Sequence, residues 1–192
     1  MTTAVMEKPA KVAINGVDVP TLLATIGVVG DNPELAQFQW RAKAEWVKGT
    51  HSRGTVNGFF GAGQEHEREE AFTIEGDHPA VLCGGDNGAT PVELLLSALA
   101  ACITAGIGNI ASARQVELFS IKTEVEGDMD MQGILGLNDE VRNGFNAIRA
   151  TFEVKGNAPV EKLRQIVEQS VARSAVFDML SNGTRVDIDI AA

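Results

Sequence analysis

A cysteine inside an uncharged run is the residue best suited to do chemistry in this chain. Cys102 lies in TPVELLLSALAACITAGIGNIASAR, residues 90–114, among Ala98, Ala100, Ala101, Ala105, Gly106 and Gly108. The thiolate is the nucleophile and the thiol is not, so the question is what lowers its pKa. Arg53 is a candidate, because a cation beside a thiol favours the charged form. Cys83, in a turn-rich loop, reads either as a small buried hydrophobe or as a second thiol. Ser174 falls on the core-facing stripe of a second helix, and Glu93 sits in the first turn of the helix that carries Cys102. His51, His66 and His78 have no metal-ligand spacing, and His66 among Glu65, Glu67, Glu69 and Glu70 reads as a solvated charge run.

The element that must position Cys102 is a helix. Thr90 and Glu93 have capping-box spacing, and Pro91 falls at the first helical position. From Leu94 to Ala113 nothing is charged and no polar stripe appears, which predicts a central helix surrounded on all sides. Cys102 is about three turns in, beyond the reach of the helix's own N-terminal dipole. Its activation therefore has to come from a side-chain cation or from hydrogen bonds. About 20 apolar residues also suffice to cross a bilayer. Here Ser97, Thr104, Asn109 and Ser112 dilute the run, and the flanks lack the Lys/Arg asymmetry that orients spans. Gly106, Gly108 and Ala111 spell G-x-G-x-x-A, yet a helix and not a strand precedes them, so helix packing is the reading.

The rest of the chain divides by period. Residues 1–11 read as a loose start, and 19–29 as an apolar helix capped by Asp18, with Pro20 just inside and Gly30 at its end. Such a helix is expected to dock on a core or on a partner subunit. Asn32 and Pro33 open a second short helix. Residues 38–47 alternate, with Phe38, Trp40, Ala42, Ala44 and Trp46 on the buried face of a half-buried strand. A turn at 49–54 containing Arg53, a returning strand at 55–60, a polar loop at 61–70 and a short strand at 71–75 follow. After the central helix come strands at 116–126 and 145–154, separated by an excursion. A helix opens at Asn157-Ala158-Pro159 with Leu163, Ile166, Val167, Ser170, Val171 and Ser174 on one stripe, then a turn at 181–184 and a final alternating strand, RVDIDI, at 185–190. The expected class is α+β: three strands, long central helix, two strands, helix, strand. Residues 1–37 form an N-terminal helical extension to a domain at 38–192.

With 192 residues, 44% of them hydrophobic, the chain can bury one substantial core. A formal net charge of −10 opposes nucleic-acid binding, which needs clustered cations. Two cysteines make no disulfide scaffold, and the first residues lack a signal peptide's apolar core. The expectation is a cytoplasmic protein with no metal, no cofactor and no membrane association.

The stretch GGDNGATPVELLLSALAACITAGI resembles the G-x-N-P-E-E-L...A-A-x-A-A-C motif of the OsmC/Ohr family, with matching spacing from Pro91 to Cys102. SAVFDML, from Ser174, resembles the family's C-P-V segment, and the likeness spans roughly residues 38–190. The resemblance implies an α+β fold in which two chains intertwine as a homodimer with active sites at the subunit interface. It further implies a peroxidatic Cys at Cys102, an Arg at Arg53 to stabilise its thiolate, a Glu to hold that Arg, and a second Cys that forms a disulfide. Three departures stand out. Ser174 and Ala175 replace the second Cys and its Pro. Val92 stands where the Arg-holding Glu is expected, with Glu93 one position on. Cys83 has no counterpart and is a possible resolving thiol. Two readings follow: a single-cysteine peroxidase that reduces organic hydroperoxides with an external thiol reductant, or a non-catalytic homodimer that binds a small apolar ligand.

Overall fold

The computed structural model describes residues 12–191; the stretch read as a loose start, 1–11, lies outside the described residues. The chain separates into two compact units, one made of the part up to Leu23 together with everything from Ala98 onward, the other of Ala24–Ser97.

The first unit carries the core. Helix α2 (Pro91–Ala113) enters it at Ala98 and buries Leu99, Ile103, Ile107 and Ala111, one residue per turn at spacing four. Helix α4 (Val160–Ala172) answers with Leu163, Ile166 and Ser170 at spacings of three and four. The helices come close at Gly106: a Cβ there would collide with the Ser170 hydroxyl, which donates to the Ile103 carbonyl at 2.7 Å. Strands β6 (Leu118–Asp128) and β7 (Ala147–Gly156) pair antiparallel, and Ile121, Val125, Ile148, Phe152 and Val154 pack on the same cluster. Between them a one-turn helix, α3 (Met131–Ile134), is capped by Asp130. Burying side chains such as Ile103 and Ile107 contributes about 2 to 3 kcal/mol each. The segment before α1 (Val19–Asp31) is fastened to the end of α2: Asn15, at φ +55°, donates to Ser112 Oγ and the Val116 carbonyl and accepts from the Leu118 N–H.

The second unit is a three-stranded antiparallel sheet ordered β1 (Lys43–Lys48), β2 (His51–Val56), β5 (Phe72–Gly76), with a small hairpin of β3 (Phe59–Gly61) and β4 (Gln64–His66). The register places Lys43, Glu45, Arg53, Thr55, Thr73 and Glu75 on one face and Ala44, Trp46, Gly54, Val56, Phe72 and Ile74 on the other. The charged face is wet, and the uncharged face is also largely open, with Trp46 76% exposed. An aromatic stack runs Phe38, Trp40, Phe59, His66, with neighbouring ring centroids 4.7 to 5.5 Å apart.

Several expectations hold. α1 is capped by the Asp18 carboxylate, which accepts from the Thr21 N–H and hydroxyl, and α2 starts and stops where its capping box and uncharged run predict. A short 3-10 helix at Pro33–Ala36 answers the second helical start, and the α+β class with its long central helix is observed.

Others are corrected. α2 is not surrounded: it buries one stripe and leaves Leu95, Ala98, Ala101 and Ala105 exposed, because its apolar residues are not matched by buried partners all round. β1 is exposed along its whole length instead of half-buried. The first turn is tighter than expected. Gly49, at φ +55°, lets β2 begin at His51, which moves Arg53 from a turn onto a strand. The polar run 61–70 contains the β3–β4 hairpin, turned by Ala62 and Gly63, both at positive φ. Helix α4 stops at Ala172, and residues 175–182 form a separate helix, α5 (Ala175–Asn182). The predicted strand at 185–190 does not form. The segment has no regular structure and is exposed, Ile190 by 89%, since alternation makes a strand only where a neighbouring edge supplies the ladder.

Candidate active site at Cys102

Cys102 sits on α2 one position before the buried Ile103 and is itself half-buried. Its sulfur meets the start of α5. Ser174, 5% exposed, is the N-cap of that helix: its Oγ accepts the Phe177 N–H at 3.2 Å and donates to Cys102 Sγ at 3.1 Å. The backbone amides of Val176 and Ala175 lie at the same end of α5 and also favour the thiolate. These are first-turn amides with no partner inside their own helix, and they sit at the positive end of its dipole. Burial pushes the Cys102 thiol up. The Ser174 hydroxyl, then the Val176 and Ala175 amides, more than offset this and hold it below the ordinary thiol range. The dipole that α2 cannot supply to its own third turn is therefore supplied by α5, end on.

The remaining candidate residues belong to the other unit. Arg53 donates from Nε to Glu75 Oε1 at 2.7 Å, and His51 Nε2 lies 2.7 Å from the second Glu75 oxygen. Glu75 is held below its usual value by Arg53 first and His51 second. Glu93 completes the capping box, accepting the Thr90 N–H and hydroxyl at 2.8 Å each while Thr90 Oγ1 takes the Glu93 N–H. Its oxygens are thus engaged by Thr90, and the carboxylate that pairs with Arg53 is Glu75. Cys83 is exposed, in the left-handed conformation at φ +63° after the 3-10 turn Ala80–Leu82. His66 stacks on Phe59 and bonds the Gly61 carbonyl.

Two features escaped the sequence reading. The α5 amides at Cys102 were hidden because the stripe ending at Ser174 continues the period of α4, although Ser followed by an apolar run is itself an N-cap signal. Asp77, 1% exposed, was also missed. It accepts from Thr50 Oγ1, the N–H groups of His78, Gly85 and Asn87, and Asn87 Nδ2, and so ties down the loop that leads to α2. These bonds, with Thr50 and the Asn87 side chain foremost, hold its carboxyl well below the usual range. An Asp ahead of a GGDNG loop is the signal that would have found it.

The family model for OsmC-like proteins matches residues 84–189, more than half of the chain. The chain belongs to the OsmC-like protein family. Among solved structures, this OsmC-like protein is similar to an OsmC-like protein from Mycoplasma pneumoniae, with 15% identity, TM-score 0.55, and 80% of this chain and 96% of that one covered. It is also similar to an organic hydroperoxide resistance protein OsmC from Legionella pneumophila, with 14% identity, TM-score 0.51 and coverages of 77% and 93%. A third is a putative osmotic stress induced and detoxification response protein from Psychrobacter arcticus, at 16% identity, TM-score 0.52 and coverages of 74% and 88%. At these identities the likeness concerns the fold. A comparison with curated protein sequences finds no match. In this OsmC-like chain the two landmark positions, Cys102 and Ser174, are in direct contact.

Proposed function

We propose that this protein is a single-cysteine thiol peroxidase acting on organic hydroperoxides. The observation that carries the reading is the Ser174 hydroxyl, the N-cap of α5, donating to the sulfur of Cys102 at 3.1 Å, which with the first amides of α5 favours thiolate. In the reaction the thiolate attacks the terminal peroxide oxygen. The S–O bond forms, the O–O bond breaks, and the alkoxide leaves and takes a proton to become the alcohol. Sulfur is oxidised to the sulfenic acid and the peroxide is reduced. Ser174 cannot form the disulfide that a cysteine there would. One external thiol therefore displaces water to give a mixed disulfide, and a second releases Cys102 as thiol. The OsmC named for hydroperoxide resistance in Legionella pneumophila lends the substrate class.

The same reading takes the working form to be a homodimer. Its support is the tail with Val186, Ile188 and Ile190 exposed, the open β1, and the uncharged side of α2 with Leu95, Ala98, Ala101 and Ala105 exposed.

The deciding experiment is peptide mass spectrometry after one equivalent of cumene hydroperoxide, with and without a sulfenate trap. A trapped adduct at Cys102, absent in Cys102→Ser, is expected. A Cys83–Cys102 disulfide would instead make Cys83 the resolving thiol. Unchanged cysteines together with a co-purified apolar ligand would replace the peroxidase reading with that of a binding protein.

A further inference from the structure

Where β1 begins and β2 ends, a cleft of about 340 Å³ opens, a volume within the range of small-molecule sites. Its lining residues lie between Arg41 and Ala71, so it belongs to the second unit alone. Two of its walls are fixed by bonds of their own. The Arg41 guanidinium donates to the two Glu65 oxygens at 2.7 and 2.8 Å and to Gln39 Oε1. Asn57 is held by Arg68, whose N–H donates to Asn57 Oδ1 at 3.0 Å and whose guanidinium donates to the Asn57 carbonyl. The other polar groups lining the cleft are unpartnered among the described residues. Lys43 and Thr55 are register partners on the charged face of the sheet, and neither Lys43 Nζ nor Thr55 Oγ1 meets an acceptor. Asn57 Nδ2 has no acceptor either, since Arg68 engages only the amide oxygen. Glu67, also on the wall, carries the opposite charge. A Cβ at Gly58 would meet its Cγ at 3.7 Å, and its carboxylate forms no ion pair with Lys43 or any other described group.

We infer that this cleft binds a free α-amino acid with a short aliphatic side chain. Paired strands lie about 4.8 Å apart and residues two apart on a strand about 6.6 Å, so the donors of Lys43, Thr55 and Asn57 are close enough to converge on one carboxylate. The ammonium of the ligand donates to Glu67, and the methyl groups of Ala42 and Ala71 take its side chain. Charge selects the class. Glu65 already neutralises Arg41, which leaves one cation, Lys43, and one anion, Glu67, in the same cleft. A zwitterion satisfies both through charge-assisted hydrogen bonds and brings no net charge. A plain carboxylate leaves Glu67 unpaired beside a like charge, and a plain amine does the same to Lys43. The bonds that hold Arg41 and Asn57 are made before the ligand arrives, so little ordering is left for binding to oppose.

The test titrates the ¹⁵N-labelled full chain with L-valine and follows its amide resonances. Isovalerate, which is valine without the amine, and isobutylamine, which is valine without the carboxylate, serve as the two comparison probes. Saturable shifts at Thr55, Asn57 and Gly58 with L-valine below about 10 mM are expected, with each comparison probe at least tenfold weaker. Lys43→Gln and Glu67→Gln should each weaken L-valine at least tenfold. Isovalerate binding as tightly as L-valine would reduce the cleft to an anion site and overturn the inference. So would L-valine binding that neither variant alters, which places the ligand elsewhere. No shift at these amides up to that concentration would leave Lys43 and Glu67 as solvated charges. None of these outcomes bears on the thiol chemistry of Cys102, which the sulfenate trap tests separately.

Discussion

Ser174 serves two helices at once. Its oxygen caps α5 by accepting the Phe177 N–H, which turns its proton toward Cys102. Removing the hydroxyl with Ser174→Ala takes away a charge-assisted bond to the thiolate and a helix cap together. The expected result is alkylation of Cys102 at pH 7 slowed about tenfold, with the rate profile moved to higher pH, since 1.4 kcal/mol is a factor of ten. An identical iodoacetamide profile for the two proteins would remove Ser174 from the site. Ser174→Cys places a second sulfur where the oxygen lies 3.1 Å from Sγ. Mild oxidation should then join Cys102 to the thiol introduced at position 174, seen as a loss of two mass units and of free thiol. Two reactive thiols persisting after hydroperoxide treatment would mean that the pair cannot close.

Among the elements, the approach of α2 to α4 depends on one missing methyl. Gly106→Ala drives a Cβ into Ser170 Oγ, so the helices must part or the hydroxyl must leave the Ile103 carbonyl. About 1 to 3 kcal/mol of destabilisation is expected from the overpacking. Gly108→Ala, where nothing lies within 4 Å, should instead stabilise by up to about 1 kcal/mol through helix propensity. Urea denaturation of the two variants distinguishes them, and equal midpoints would refute the close approach. In the other unit the loop 77–90 hangs on Asp77. Its depressed pKa means that its stabilising contribution is complete above about pH 4, the unfolded value, and is lost as pH falls through the folded value. Asp77→Asn should lower Tm by several degrees at pH 7 and show a smaller further drop between about pH 4 and 2 than the parent chain. Parallel Tm-against-pH curves would assign the acid loss elsewhere.

For the molecule as a whole, large apolar side chains are exposed on α1, the uncharged sheet face and the tail, and also at Trp40, Val81, Phe119, Leu137 and Val160. A chain of this kind should self-associate, and its Tm should rise with protein concentration by mass action. Tm measured from about 1 to 100 µM checks this, and a flat dependence would fit a monomer. Shortening the chain after Gly183 removes Val186, Ile188 and Ile190 and should weaken association without changing the Cys102 alkylation rate, because the groups on the sulfur all precede Asn182.

What the sequence by itself determined was local. The Thr90–Glu93 box, the Asp18 cap, the uncharged run of α2 and the alternation of β6 and β7 depend on neighbours a few residues away, and each is found where those neighbours place it. Cys102 was legible as the candidate residue because helix spacing and composition set it apart, and its contact with Ser174 matches the two positions singled out by the resemblance. Tertiary structure decided the rest. That the start of α5 meets the sulfur, that Glu75 and not Glu93 pairs with Arg53, and that Asp77 anchors a loop follow from contacts between residues 10 to 72 apart. The strand that 185–190 did not form has the same cause. A strand's second partner lies on another segment, and no period within six residues can say whether that segment is present.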